Sequence, residues 1–171
     1  MGIEDPRKVG SGNPGATNVL RYGGKWLAGV TLLGDIFKGI IPVLIARALS
    51  DDDYLIAATA LAAFLGHLFP VYFGFRGGKG VATAFGVLSS LNIYIGAALL
   101  ATWIIIAILF RYSSLAALIS AVLAPIYVWY WRPGWYYFSL TLCILMLLIW
   151  RHRGNIQRIL TGDESKIGKS R

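Results

Sequence analysis

A chain of 171 residues that is 57% hydrophobic and carries a formal charge of +8 is too apolar for an ordinary soluble domain, and runs such as LLATWIIIAILF exclude the short amphipathic segments of one. Its single cysteine, Cys143, lies in the apolar run FSLTLCILMLLIW and excludes both an intrachain disulfide and a cysteine-based metal site. The opening MGIEDP lacks the basic and apolar regions of a signal peptide and the hydroxyl residue of a myristoylation signal, so membrane insertion is assigned to internal spans.

The first polar segment, GSGNPGATNVLR, runs from Gly10 to Arg21. Gly10, Gly12 and Gly15 permit φ > 0, so that successive amide N–H groups can face one concavity. Ser11, Asn13, Thr17 and Asn18 add neutral polar groups, and Arg21 adds a charged fork suited to phosphate. No carboxylate occurs between Pro6 and Gly34, which favours an anion cradle over a plain surface loop. GSGNPG also fits G-x-G-x-x-G formally, but no strand precedes it, so a dinucleotide site is excluded.

Five apolar runs follow: Trp26 to Leu49, Tyr54 to Phe75, Val81 to Phe110, Leu115 to Trp131 and Trp135 to Trp150. As one helix the third would extend about 45 Å, against a hydrocarbon core of about 30 Å. Ser89, Ser90 and Asn92 suit a break within it. Read as a hairpin, this run places 13 of the 16 Lys and Arg on one side of the membrane, as expected of a cytoplasmic face. The first run carries Asp35 and Lys38 at i, i+3 spacing, which first suggests mutual neutralisation and second a contribution to a site.

The second polar segment, GHLFPVYFGFRGGKG, carries His67, Arg76, Gly78 and Lys79. It is not a P-loop, because only three residues separate Gly74 from Gly78 and Gly80 stands where Ser or Thr is required. A phosphate-binding turn fits the four glycines of its GFRGGKG stretch; His67 could bind substrate, move a proton or be structural. The third segment follows the last span with His152, Asn155, Arg158 and Glu164, where Arg151 and Arg153 read as lipid-facing anchors. The spans imply an all-α, polytopic integral membrane protein of about six transmembrane or half-membrane helices. Its three cytoplasmic motif loops would converge at the inner surface of one membrane-embedded domain spanning residues 1–171.

RKVGSGNPGATNVLR, GHLFPVYFGFRGGKGVAT and HRGNIQRILTGDE, in that order and joined by DIFKG, resemble the motifs of the bacterial acyl-phosphate:glycerol-3-phosphate acyltransferase (PlsY) family. The resemblance covers nearly the whole chain. It implies transfer of a fatty acyl group from acyl phosphate to the 1-hydroxyl of glycerol 3-phosphate, giving lysophosphatidic acid and phosphate, with no cofactor and no metal. It also implies the bacterial cytoplasmic (inner) membrane, with the site facing the cytoplasm. Partners would be the two substrates, membrane lipids and, as a further candidate, the enzyme supplying acyl phosphate; nucleic acid is not among them.

On this reading Ser11, His67, His152 and Asn155 are the candidate catalytic residues. Gly10, Gly12, Asn13, Gly15, Thr17, Asn18, Arg21, Arg76, Gly78, Lys79, Arg158 and Glu164 are the candidate substrate and phosphate ligands. Family members usually begin with another hydrophobic helix, whereas nine residues precede Gly10 here. The alternative function is a membrane transporter of phosphate or a phosphorylated metabolite.

Overall fold

The computed structural model describes residues 4–168, so Lys169 and Arg171, counted in the basic tail, lie outside the described residues. In chain order the helices are α1 (Ala16–Tyr22), α2 (Gly24–Leu49), α3 (Asp53–Leu68), α4 (Val81–Leu91), α5 (Ile93–Phe110), α6 (Ser113–Trp131), α7 (Trp135–Arg151) and α8 (Arg153–Thr161), with one 3₁₀ turn at Val71–Phe73. No strand occurs among the described residues. Among the described residues four helices are long and apolar enough to cross a membrane, namely α2, α5, α6 and α3 with its 3₁₀ turn; α7 with α8, bent by 56°, makes a fifth. The short apolar helix α4 completes the set of about six spans and half-spans expected from the sequence.

The third apolar run breaks at Asn92, whose extended backbone separates α4 from α5. Its side chain accepts from the Tyr94 N–H at 2.9 Å, capping α5, and donates to the Trp131 carbonyl at 3.1 Å. Ser89 and Ser90 remain helical because their hydroxyls donate to the carbonyls of Phe85 and Gly86 one turn back.

α2 packs against α3 and α4, α5 against α6, and α7 against α6 and α3. Glycine sets the α2–α4 spacing: a Cβ at Gly86 would collide with the Ile36 carbonyl, and one at Gly39 with the Thr83 carbonyl. Small residues at such a crossing let two backbones approach closely inside a bilayer, where dispersion contacts drive association. The interior between helices is closed by Val43, Phe64, Leu68, Val87, Ile95, Val128 and Tyr137, all fully buried. The outer surface is apolar as well, with Ile105, Ile108 and Leu109 more than half exposed, as a lipid-facing helix requires.

At the end holding the α2–α3, α4–α5 and α6–α7 connections, polar groups satisfy one another. Arg132 donates to Asp53 Oδ1 at 2.9 Å, the Tyr137 hydroxyl donates to the same oxygen at 2.6 Å, and Arg47 donates to the Ser90 carbonyl. The polar segments gather at the opposite end.

Candidate active site

The first segment is a loop only as far as Gly15; Thr17, Asn18 and Arg21 belong to α1. Gly10 and Gly12 adopt φ of +59° and +67°, the left-handed conformation that glycine permits, whereas Gly15 is extended at −88°. Asn18 is buried and folds the loop. Its Oδ1 accepts from the Ser11 N–H at 3.1 Å, and its Nδ2 donates to the carbonyls of Pro6 and Val9 at 2.9 and 3.0 Å. The Gly12 N–H donates to the Val9 carbonyl at 3.1 Å. The amides of Ser11 and Gly12, expected to face a ligand, are thus spent inside the loop. Ser11, Thr17 and Arg21 are exposed, and the Asn13 side-chain nitrogen lies against Gly15.

The second segment turns through Gly74 and Phe75, both left-handed, before Gly77 and Gly78 pass close to α3. A Cβ at Gly77 would collide with the His67 carbonyl, and one at Gly78 with the His67 imidazole, so only glycine fits there. Arg151, expected as a lipid anchor, instead donates to the carbonyls of Gly77 at 2.5 Å and Gly78 at 2.8 Å. Arg153 stays exposed, its guanidinium 5.2 Å from the Trp150 ring centre. Arg76 is exposed, and its carbonyl accepts from Arg7 Nε at 3.2 Å, tying the second segment to the first.

Lys79 joins the second segment to the third: its Nζ donates to Asn155 Oδ1 at 2.5 Å. Asn155 Nδ2 donates to Glu164 Oε1 at 2.6 Å, as does the Ser114 hydroxyl at 2.6 Å, and Arg158 Nε donates to Glu164 Oε2 at 2.8 Å. Ser114 was not among the sequence candidates, because a serine at a span boundary has no distinguishing spacing. The tail beyond Glu164 is tied down by the Ile167 N–H, which donates to the Arg111 carbonyl at 2.6 Å.

Electrostatics around Lys79 are unbalanced. Burial first, then the charges of Arg158, Arg21 and Arg151, push its ammonium down to about 8 against the opposing pull of Glu164. Burial raises the Glu164 carboxyl, but hydrogen bonds from Ser114, Asn155 and Arg158 outweigh it and hold the group below the usual range. His152, at the hinge between α7 and α8, is buried. Its Nδ1 lies 2.8 Å from the Leu148 carbonyl. A ring nitrogen facing a carbonyl carries the proton, which leaves Nε2 as an acceptor.

His67 sits on the other side of the glycine turn, and its Nδ1 faces Asp35 Oδ1 at 3.4 Å. Lys38 Nζ donates to the same oxygen at 3.1 Å, so the expected Asp35–Lys38 pair is present with an unexpected third member. These residues line a cavity of about 610 Å³ between α2 and α3, with Pro14, Gly77 and Gly78 at its wall. No cluster of three potential metal ligands from His, Cys, Asp and Glu occurs among the described residues.

Cationic segments gathered at one end of an apolar helical bundle define an integral membrane protein with a basic cluster beside the bilayer. Comparison with known proteins makes the class specific. A family profile described as "Glycerol-3-phosphate acyltransferase" matches residues 1–162. The glycerol-3-phosphate acyltransferase of Thioalkalivibrio sulfidiphilus is 56% identical over 167 residues, covering 98% of this chain and 82% of the relative. That of Methylococcus capsulatus is 55% identical over 171 residues, covering 100% and 86%. Crystal structures of PlsY, an integral membrane glycerol 3-phosphate acyltransferase, are 40% identical to this chain. The glycerol 3-phosphate form superposes with a TM-score of 0.92, covering 96% of this chain and 83% of that one. The lysophosphatidic acid form gives 0.88, covering 92% and 81%. The chain belongs to the glycerol-3-phosphate acyltransferase family.

Proposed function

We propose that this chain transfers a fatty acyl group from acyl phosphate to the 1-hydroxyl of glycerol 3-phosphate at the cytoplasmic face of the bacterial inner membrane. The observation that carries the site assignment is the setting of Lys79, a half-buried ammonium from the second segment that feels Arg21 of the first and contacts Asn155 of the third. Both reactants carry phosphate, and an excess of cations over the single carboxylate Glu164 suits that chemistry.

The hydroxyl oxygen attacks the acyl carbonyl carbon, and the bond from that carbon to the bridging phosphate oxygen breaks. The electron pair leaves with phosphate, and the hydroxyl proton passes to a phosphate oxygen. Acyl phosphate is already activated, so positioning and charge stabilisation suffice without a covalent enzyme intermediate. Lys79 and Arg21 hold the phosphate charge, and Arg158 is occupied chiefly by Glu164. His152, whose Nδ1 faces the Leu148 carbonyl, presents Nε2 as an acceptor that orients the glycerol hydroxyl. Ser11, Asn13 and Thr17 line the approach from the first segment.

The transport alternative needs a polar path to the far face, whereas that end is tied by Asp53, Arg132 and Tyr137 and by Asn92 with Trp131. Incubating the purified chain in lipid nanodiscs with acyl phosphate and glycerol 3-phosphate tests the proposal. Release of lysophosphatidate and phosphate in equal amounts is expected. Folded protein that yields neither, or that moves phosphate across vesicles without product, contradicts it.

A further inference from the structure

Asp35 on α2 has more partners than charge neutralisation demands. Lys38 on the same helix already supplies an opposite charge at i, i+3 spacing. The carboxylate also meets His67 of α3, and the acid and imidazole side chains are only 10% and 9% exposed, whereas Lys38 is 64% exposed. The nitrogen facing a carboxylate carries the ring proton, so Asp35 fixes His67 as the Nδ1–H tautomer. The opposite edge of the ring then lies against Gly78, where a Cβ would collide with Nε2 and stand 3.0 Å from Cε1.

The main chain of Asp35 acts on the same loop from another direction. Its carbonyl accepts from the Thr83 hydroxyl at 2.9 Å, in the first turn of α4 and four residues beyond Lys79. The turn carrying Lys79 is therefore braced by His67 beneath Gly78 and by Thr83 just after it. We propose that Asp35 is a positioning residue for acyl transfer, orienting the His67 imidazole so that the Gly77–Gly78 backbone holds Lys79 beside Asn155. The inference rests on the reading of Lys79 as a ligand of substrate phosphate. Asp35 touches no reactant; it acts through His67 and the loop.

The test compares wild type, Asp35→Asn, His67→Gln and the double variant in nanodiscs, measuring kcat and KM for glycerol 3-phosphate together with the unfolding temperature. Displacement of a positioned group acts on the transition state more than on ground-state binding, so Asp35→Asn should lower kcat about tenfold with KM changed less than about threefold. Added to His67→Gln it should cost less than about twofold, because the residue it orients is gone. Wild-type kcat in Asp35→Asn, or an equal loss in both backgrounds, overturns the proposal. If Asp35→Asn does not fold, His67→Gln alone decides, since it leaves Asp35 paired with Lys38: a fall in kcat of about tenfold supports the proposal, and wild-type kcat overturns it. Absence of product from the wild-type chain would instead overturn the acyltransferase reading itself.

Discussion

The two ends of this bundle use polar residues in opposite ways. At one end Arg132 and Tyr137 converge on a single carboxylate oxygen of Asp53, and Asn92 is used at both ends of its amide. At the other, Lys79 is half-buried among Arg21, Arg151 and Arg158 with Glu164 as the opposing charge. A structural cluster balances its charges, because an unpaired charge next to a bilayer is costly. A cluster that binds an anion stays unbalanced until its ligand arrives, at the expense of stability in the free protein.

Substitutions at the two ends should therefore separate activity from stability. The largest effect is expected from Lys79→Ala, with a loss of about 10²- to 10³-fold in lysophosphatidate formation, the range seen when one charge-stabilising donor is removed. Arg21→Ala should follow closely, and both variants should keep the wild-type unfolding temperature to within a few degrees. Near-normal turnover in either would remove that side chain from the site.

The pH dependence sharpens the same contrast. Between about 8 and the ordinary lysine range, the unfolded chain holds a proton that native Lys79 has released, so stability should rise with pH across that window. Over the same window kcat/KM should fall as the ammonium is lost. Lys79→Met should flatten the stability slope, which denaturant titrations at pH 7.5 and 10 would show.

Effects at the closed end should be smaller and confined to stability. Tyr137→Phe removes a 2.6 Å hydrogen bond to Asp53 from a fully buried ring and should cost about 1–2 kcal/mol of unfolding free energy with kcat unchanged. Asn92→Ala loses the α5 cap and should cost about 1 kcal/mol, again with normal kcat. A fall in kcat in either variant would show that the two ends are coupled.

Much of this was legible in the sequence because the relevant signals are local. A polar Asn92 inside an apolar run too long for one helix marks the break, and glycine with basic residues marks the segments that converge. The sequence placed the break among Ser89, Ser90 and Asn92, and the structure selects Asn92, since serine hydroxyls can bond one turn back and stay helical. What escaped were pairings between helices. No spacing encodes the meeting of Asp35 with His67 or of Ser114 with Glu164, and Arg151 after a last span has the same local signature whether it faces lipid or grips Gly77 and Gly78. The loop bonds of Asn18 escaped for a related reason: an exposed amide and one folded into its own loop look alike until the loop is closed.

The central claim, that Lys79 stands where a phosphorylated substrate binds, can be read directly by chemical protection. A lysine lowered to about 8 should react readily with an amine-selective reagent at pH 8, and its modification can be counted by mass spectrometry beside that of exposed Lys25 and Lys166. Saturating glycerol 3-phosphate should suppress labelling of Lys79 about tenfold and leave the other two unchanged, as expected for a site nine-tenths occupied. Labelling of Lys79 that is indifferent to glycerol 3-phosphate, in protein that still forms lysophosphatidate, would contradict the account.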